Sequence, residues 1–319
     1  MADHYLVTGG AGFIGSHLVE ALAAAGHRVR VLDNFSAGRP ENLSDLADAV
    51  EIIEGDVRDA AVCREACEGV DYVLHQAARV SVAESMEDPV TTHEVNALGT
   101  LKLLLAARQA GCRRFVYAGS ASAYGDTQHL PLREDTAPSP RSPYAVAKYV
   151  GELYGGLYQD SHDLPCVVLR YFNVFGPRQD PNSPYSGVIA RFVRQLIRGE
   201  SLTVFGDGEQ SRDFVAVQNV VEANLLACRA ADAPGHTINI GSGSAMTINE
   251  LLGLLGELIG TTPKVTYASP RPGDIPHSVA DITQAQRLLG YRVRVSTEEG
   301  LRRTLQWYRQ SGGEGAAAD

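Results

Sequence analysis

The chain has 319 residues, of which 44% are hydrophobic and 21% are charged, and its formal net charge at pH 7 is −10. This composition is typical of a globular protein, and a length of about two average domains predicts a large domain with a second, smaller one. The acidic balance excludes an extended nucleic-acid surface and disfavours an anionic membrane as a partner, because both require clustered positive charge.

The cysteines and the amino terminus give no sign of an oxidised or membrane-bound protein. The five cysteines are scattered, and no second Cys or His pair follows at metal-ligand spacing; they are Cys63, Cys67, Cys112, Cys166 and Cys228. We therefore expect neither a disulfide framework nor a metal site. The first residues show neither the charged region nor the cleavage site typical of a signal peptide, and no apolar run approaches the about 20 residues of a membrane span, so we expect a cytoplasmic protein.

The first half of the chain alternates between two periodicities. Short β-type runs lie at residues 4–8, 28–32, 51–54, 72–75, 115–118 and 166–170. Helical patterns lie between them, at residues 14–25, 60–67, 90–110 and 144–160. Strands and helices that alternate at these distances predict βαβ units and the doubly wound parallel sheet of an α/β fold.

The second half is less regular and predicts a smaller lobe. Helices are expected at residues 188–199, 217–231, 247–259 and 297–309, strands at 202–205 and 237–240, loops at 177–184 and 271–276, and a frayed tail at 312–319. We expect a nucleotide-binding domain over residues 1–172, with returning segments from 210–240. A substrate-binding lobe is expected over residues 173–319, with a cleft between the two.

A glycine-rich turn, Thr8-Gly-Gly-Ala-Gly-Phe-Ile-Gly15, connects the first predicted strand to the first helix. Glycines at this spacing permit a tight turn and a close approach to a pyrophosphate, which the helix amino terminus also attracts. Asp33, at the end of the second strand, is placed to bind the adenosine ribose hydroxyls and to repel a 2′-phosphate. The predicted cofactor is therefore NAD.

Tyr144 and Lys148 lie four residues apart on one face of a predicted helix, in a chain with only three lysines. A solvated helix face is the alternative interpretation of this pair. A lysine ammonium favours the tyrosine phenolate, which can take a proton from a sugar hydroxyl while hydride leaves the same carbon. Ser120 follows the fifth strand, at the edge where such sheets bind ligands, and is expected to hydrogen-bond the reacting oxygen. Without the Tyr/Lys pair, Ser120 and Ser122 would be ordinary polar loop residues.

Together these residues resemble the extended short-chain dehydrogenase/reductase family over nearly the whole chain. Further matching motifs are DNFS at 33–36, GDV at 55–57, HQAA at 75–78, NALGT at 96–100 and RYFNVFGPR at 170–178. The resemblance implies a seven-stranded Rossmann domain and a catalytic triad of Ser120, Tyr144 and Lys148. It also implies NAD contacts from Gly9, Gly12, Phe13, Ile14, Gly15, Asp33, Asn34, Ser36, Gly38, Asp56, Val57, Gln76, Ala77, Ala78, Asn96, Tyr144, Lys148 and Tyr171.

Within that family the chain is most similar to UDP-hexose 4-epimerases. Residues 206–214, GDGEQSRDF, match the stretch that holds uridine and diphosphate, and residues 271–274, RPGD, match a second phosphate- and ribose-binding stretch. The resemblance implies a substrate site made by Ser81, Ser120, Ser122, Tyr144, Asn173, Val188, Thr203, Phe205, Arg212, Arg271, Asp274 and Ser278. The alternative for the two arginines is a role in surface solubility.

Related activities leave several alternatives. Dehydratases and UDP-glucuronate decarboxylases typically carry an acidic residue just after the catalytic serine or threonine, whereas Ser120 is followed by Ala-Ser-Ala. UDP-glucuronate 4-epimerases often have threonine in place of Asn173 and arginine in place of Asp180, and this activity stays the main alternative. Ser278 stands where enzymes restricted to UDP-glucose and UDP-galactose often have tyrosine, so room for an N-acetyl group is expected. Another nucleotide-sugar oxidoreductase and a non-catalytic nucleotide-binding scaffold are further alternatives.

The resemblance thus implies an NAD-dependent 4-epimerase that inverts C4 of a UDP-hexose through a 4-keto sugar. It also implies a homodimer, in which the helices at residues 90–110 and 144–160 pair across a two-fold axis. Both ligands are anionic while the protein is acidic. We therefore expect backbone amides and a few specific arginines, rather than bulk charge, to hold them.

Overall fold

The computed structural model of the chain describes residues 2–127, 129–180, 187–270 and 275–310. Its strands are β1 (His4–Thr8), β2 (Arg28–Asp33), β3 (Glu51–Glu54), β4 (Tyr72–His75), β5 (Arg114–Ser120), β6 (Cys166–Tyr171), β7 (Asn173–Phe175), β8 (Leu202–Phe205), β9 (Ser211–Ala216), β10 (Thr237–Ile240), β11 (Ala245–Thr247) and β12 (Val265–Ala268). Its helices are α1 (Phe13–Ala24), α2 (Ala60–Cys67), α3 (Val82–Glu87), α4 (Pro89–His93), α5 (Thr100–Gln109), α6 (Pro143–Ser161), α7 (Val188–Ile197), α8 (Val217–Arg229), α9 (Ile248–Ile259), α10 (Thr283–Leu289) and α11 (Thr297–Gln310). A π-helical segment, Glu94–Gly99, joins α4 to α5.

Seven parallel strands form the central sheet in the order β10-β6-β5-β4-β1-β2-β3. The chain starts at β1 and leaves it in both directions, first to β2 and β3 and then to β4, β5 and β6. The carboxyl ends of β1 and β4 therefore flank the switch point, where doubly wound sheets bind nucleotides. This confirms the predicted Rossmann-type fold.

Both faces of the sheet are covered, because alternate strand residues point to opposite sides. Tyr5 and Val7 belong to a core that includes residues of α1, α8 and α10, whereas Leu6 belongs to a second core that includes residues of α2, α5 and α6. A sheet buried on both faces explains why its strands read as continuous apolar runs in the sequence.

A separate core lies outside the main sheet. It joins α7, α9 and α11 to β8 and β9, and its largest side chains include Phe175 and Phe192. Three short strands, β11-β9-β7, and the parallel pair β12-β8 complete this region. β10 returns to the main sheet beside β6, as expected of a returning segment. The division of the chain into two domains at residue 172 stays a prediction.

Several strands and helices were not predicted from the sequence, and one predicted helix is less regular than expected. β7, β9, β11 and β12 were not predicted, and neither were α3 and α10. β9 has a polar start, Ser211-Arg-Asp, and is a strand because it pairs with β7 on one side and β11 on the other. The helix expected over residues 90–110 is continuous, but its middle is the π-helical segment, which the sequence did not predict.

The structure offers no transmembrane helix: in the ranges given above, none is long and apolar enough to cross a membrane. Over the same ranges, no three or more His, Cys, Asp or Glu side chains are grouped so that they could hold a metal ion. All five cysteines are buried thiols.

Candidate functional site

The glycine-rich turn forms a close-fitting cradle between β1 and α1. Gly9 has φ of +66°, and a Cβ atom on Gly15 would lie 2.0 Å from the Gly9 carbonyl oxygen, so neither position tolerates another residue without a shift. α1 follows Gly12, and no side chain of the described residues caps it, which leaves the N–H groups of Phe13 and Ile14 directed out of its first turn. This cradle fits the pyrophosphate of NAD.

Asp33 lies beside the cradle at the end of β2. Its Oδ2 accepts a hydrogen bond from the N–H of Ala11 at 2.9 Å, and its Oδ1 accepts one from the N–H of Phe35 at 2.9 Å. Gly38 closes over it, because a Cβ there would lie 2.9 Å from both carboxylate oxygens. The carboxylate is thus fixed and retains lone pairs for ribose hydroxyls.

Four of the residues expected to contact NAD, Asn34, Ser36, Asp56 and Val57, meet near the ends of β2 and β3. Asn34 donates to Oδ2 of Asp56 at 2.8 Å, and Ser36 donates to Oδ1 of Asn34 at 2.7 Å. Arg58, which the sequence reasoning missed, donates to Asp56 through Nε at 3.0 Å and Nη2 at 2.8 Å. Its hydrogen bond is the main reason that the pKa of Asp56 falls to about 2. Val57 is buried next to this pair.

The three expected catalytic residues meet at the carboxyl edge of the sheet. Ser120 ends β5, and Tyr144 lies in the first turn of α6, near enough to the Ser120 side chain for that side chain to influence its pKa. Lys148, one turn further on, is only 4% exposed; its Nζ donates to the Ala118 carbonyl at 2.8 Å. Nζ also lies 5.1 Å from the centre of the Tyr117 ring.

Burial is the largest influence on both titratable members of this group. It raises the pKa of Tyr144, and the hydrogen bond from Ser120 opposes that rise. It lowers the pKa of Lys148 from 10.5 to about 7. Burial thus works against the charged form of each side chain. The expectation that the Lys148 ammonium favours a Tyr144 phenolate stays a prediction.

Two serines of the expected substrate site also make hydrogen bonds within the protein. Ser122 donates through Oγ to Ser120 Oγ at 2.8 Å, within the turn that follows β5. Ser81 caps α3 by accepting the Glu84 N–H at 3.0 Å. Both hydroxyls keep a further hydrogen-bonding position, since a hydroxyl has one donor and two acceptor sites.

The segment between β4 and α3, residues 76–81, contains four of the expected ligand contacts. Asn96 fixes it from the π-helical segment, where its Oδ1 accepts the Arg79 N–H and its Nδ2 donates to the Arg79 carbonyl, each at 2.8 Å. Ala77 and Ala78 precede this clasp. A π-helical turn at a functional residue is a recurrent arrangement.

Gln76 and Tyr171 face the same buried partner, Asn224 of α8. The Tyr171 hydroxyl lies 3.0 Å from Asn224 Oδ1, and Gln76 Nε2 donates to the same oxygen at 3.2 Å. Sequence reasoning missed Asn224, and a polar residue on the buried face of a predicted helix was the available signal. Tyr171 therefore has a role inside the protein in addition to the expected cofactor contact.

A cavity of about 210 Å³ lies among β7, β8, β9 and α7. Five of the expected substrate-binding residues line it: Asn173, Val188, Thr203, Phe205 and Arg212. Further lining residues include Gln179 and Arg191, which the sequence did not predict, and Gln210, which it named only as part of the motif at 206–214. The spacing of Arg191, three positions after Val188 on one helix, was the available signal. Positions separated by up to 75 residues in the sequence, Asn173 and Ile248, thus meet in one cavity.

A strip of chain at residues 276–281 runs beside β9. Nη1 of Arg212 donates to the carbonyls of Ser211 at 2.9 Å and Pro276 at 3.2 Å. The N–H of Ser278 donates to the Ser211 carbonyl at 3.1 Å, which fixes Ser278 next to β9. Two expected substrate contacts, Arg271 and Asp274, lie outside the described residues.

Asp213 is a fully buried carboxylate that ties this region together. Its Oδ1 accepts from the N–H and hydroxyl of Ser242 at 2.6 and 2.7 Å. Its Oδ2 accepts from the N–H groups of Gly243 and Ala280 at 3.0 and 3.1 Å. Burial raises the pKa of Asp213, and these hydrogen bonds oppose the rise. Sequence reasoning named Asp213 only as part of a motif and missed this anchoring role.

Comparison with known proteins agrees with this geometry. The model of the NAD dependent epimerase/dehydratase family matches residues 5–241. A UDP-glucose 4-epimerase of Mycolicibacterium smegmatis is 39% identical over 308 residues, which are 95% of this chain and 98% of that protein. The structure of a Thermotoga maritima UDP-glucose 4-epimerase with UDP-glucose is 40% identical, with a TM-score of 0.92, over 97% of this chain and 99% of that one. A Methanobrevibacter ruminantium UDP-N-acetylglucosamine 4-epimerase in complex with UDP-N-acetylmuramic acid is 39% identical, with a TM-score of 0.93, over 98% of this chain and 100% of that one.

Proposed function

Because the chain belongs to the NAD-dependent epimerase/dehydratase family, we propose that it is a 4-epimerase of UDP-hexoses that uses resident NAD. The single observation that supports this most strongly is the meeting of Ser120, Tyr144 and Lys148 at the sheet edge that also bears the glycine cradle. The expected substrates are UDP-glucose and UDP-galactose, together with UDP-N-acetylhexosamines. The reaction is an isomerisation, since no net oxidation occurs.

When bound, NAD supplies reversible hydride acceptance, and all proton handling falls to the chain. In its phenolate form, Tyr144 removes the proton from the sugar C4 hydroxyl and gives it back after the 4-keto sugar has turned. Ser120, which ends β5 beside Tyr144, holds that oxygen by a hydrogen bond. Lys148 fixes the geometry of α6 against β5 through its bond to the Ala118 carbonyl.

The cavity supports recognition of the nucleotide end of the substrate. Arg212 and Arg191 bring two positive charges to a protein with a net charge of −10, and Asn173 adds an amide. Charged hydrogen-bond donors of this kind bind phosphate oxygens well. Holding the diphosphate while the sugar turns permits both faces of C4 to be presented. Ser278, a small residue beside β9, supports acceptance of an N-acetyl substituent.

We also propose that the protein is a cytoplasmic homodimer that pairs through α6 and the adjacent α5. Five large apolar side chains on these two helices and the π-helical segment are between 41% and 54% exposed: Leu98, Leu105, Val146, Leu153 and Leu157. Such a concentration of exposed apolar residues is typical of an interface. Leu153→Lys combined with Leu157→Lys should therefore give a monomer in light scattering, whereas Ile52→Lys, on the exposed edge strand β3, should not.

The test of the proposed activity begins with purification without added cofactor. Protein denatured afterwards should release NAD(H), and the native protein should convert UDP-glucose and UDP-N-acetylglucosamine to their C4 epimers without consuming free NAD. A requirement for stoichiometric free NAD would identify an oxidoreductase instead. Conversion of UDP-glucuronate alone would overturn the proposed substrate class, and NAD binding with no turnover would indicate a scaffold.

A further inference from the structure

His75 is a buried histidine that the proposed proton transfer does not use. It ends β4, is 1% exposed, and packs between the rings of Phe115 and Tyr117 at 5.8 and 5.7 Å. Its Nδ1 lies 2.7 Å from Thr8 Oγ1, and its Nε2 lies 2.9 Å from Thr100 Oγ1. Burial, with a smaller contribution from the Lys148 charge, lowers the pKa of His75 to about 3. The imidazole is therefore neutral at physiological pH.

The direction of these hydrogen bonds follows from the groups at the two ends. The Thr100 hydroxyl donates to the Asn96 carbonyl at 2.7 Å, so it must accept from Nε2–H of His75. A neutral imidazole has one N–H, so Nδ1 accepts from the Thr8 hydroxyl. The Thr8 oxygen in turn accepts the Ala77 N–H at 3.2 Å. One directed chain thus runs from Ala77 through Thr8, His75 and Thr100 to the Asn96 carbonyl.

Both ends of this chain act on the same short segment, residues 77–79. The N–H of Ala77 is held by Thr8, while the side chain of Asn96 clasps the backbone of Arg79 on both sides. Gly9 faces this segment so closely that a Cβ on it would lie 2.8 Å from the Ala77 nitrogen. This chain of hydrogen bonds therefore sets the spacing between the glycine cradle and the segment that contains Ala77 and Ala78.

We propose that His75 is a positioning residue, which acts through Thr8 and Thr100 to lock residues 77–79 against the glycine cradle and so retains NAD. An apolar side chain at position 75 would fill this core without the cost of burying polar atoms. The histidine instead buries two ring nitrogens, and both of them are hydrogen-bonded. The positioning role of His75 rests on the proposed function only for the reason that NAD should be retained. A 4-epimerase must return the hydride to the same sugar, so the cofactor must not leave during turnover.

A matched pair of substitutions at Thr100 tests the chain without emptying the core. Thr100→Val keeps the volume but leaves Nε2–H of His75 without an acceptor, whereas Thr100→Ser keeps the hydroxyl. Since an unsatisfied buried donor is costly, we expect Thr100→Val to release NAD roughly 5- to 50-fold faster than the wild type during gel filtration. Thr100→Ser should restore retention. In NAD-free protein, amide exchange at Ala77 and Arg79 should accelerate in the valine variant alone.

Thr304→Val is the matched control, because Thr304 is also fully buried and donates to the carbonyl four residues earlier, Gly300, at 2.7 Å. It removes an equivalent hydrogen bond in α11, outside the His75 chain, and should leave NAD retention unchanged. If Thr100→Val does not fold, a comparison of Thr8→Val with Thr8→Ser tests the other end of the hydrogen-bond chain in the same way.

The outcomes separate this proposal from the proposed function, because retention and amide exchange need no sugar. Thr100→Val with wild-type retention and exchange would overturn the positioning role, and so would equal defects in the valine and serine variants. A wild-type protein that retains NAD but epimerises nothing would overturn the proposed function and leave the Thr100 comparison interpretable.

Discussion

The two halves of the site are built in different ways. On the cofactor side, the glycine turn, the end of β2 and the segment after β4 surround the switch point of one sheet. Hydrogen bonds that involve the side chains of Asp33, Asn96 and His75 hold these parts together. On the substrate side, short strands and a strip of irregular chain are held by one buried carboxylate, Asp213. A locked side suits a cofactor that stays, and a side built from short segments suits a substrate that is exchanged at each turnover.

The largest expected effect concerns the residue that serves both sides. Tyr144→Phe removes the proton acceptor and keeps the ring, so turnover should fall by about 10²- to 10⁴-fold while NAD content and the melting temperature stay near those of the wild type. Tyr149→Phe, on the same helix, is the control and should be nearly fully active. Full activity of Tyr144→Phe would eliminate its catalytic role.

Gly15→Ala tests how rigid the cofactor side is. Its new Cβ would lie 2.0 Å from the Gly9 carbonyl, so the cradle must open and bound NAD should fall by about tenfold in absorbance and release assays. Gly156→Ala is the control, since a Cβ built there meets no heavy atom of the described residues within 4 Å beyond its chain neighbours and its own helix backbone. Normal NAD content in Gly15→Ala would mean that the glycine turn can adapt, and that the cofactor side is not the more rigid half of the site.

Asp213→Asn tests the substrate side separately. Its amide turns an N–H₂ group toward backbone donors, so the strip that carries Ser278 should shift. We expect KM for UDP-sugars to rise by roughly tenfold, with kcat and NAD content changed little. Asp45→Asn, at an exposed position in the 3-10 helix Pro40–Leu46, is the control. Loss of NAD together with substrate binding would show that the two halves are not independent.

The smallest effect is a pH dependence at Lys148. Its folded-state pKa of about 7 lies below the ordinary 10.5, so between these values the unfolded chain binds more protons and this residue makes stability rise with pH. NAD-free Lys148→Met should therefore be more stable than the wild type at pH 7, and the advantage should shrink toward pH 10. Denaturant melts at each pH measure this difference. A constant difference would contradict a depressed Lys148 pKa.

The same contrast between the two sides governs what the sequence could predict. The glycine turn, Asp33 and the Tyr144/Lys148 pair are local patterns whose spacing along the sequence implies a geometry, so sequence reasoning could name them. β9 and the anchoring by Asp213 could not be predicted, because they depend on pairing with β7 and β11 from distant parts of the chain. His75 belongs to the motif HQAA at 75–78, but only the fold reveals that its two ring nitrogens hydrogen-bond Thr8 and Thr100.

One measurement tests the central claim most directly. Protein purified without added NAD is incubated with UDP-glucose that carries deuterium at C4, and the product is separated and analysed by mass spectrometry and NMR. We predict UDP-galactose with the deuterium retained at C4, because the hydride that leaves the sugar must return to it. Loss of the deuterium to solvent or to a free cofactor pool, or the absence of any C4 epimer, would contradict this account.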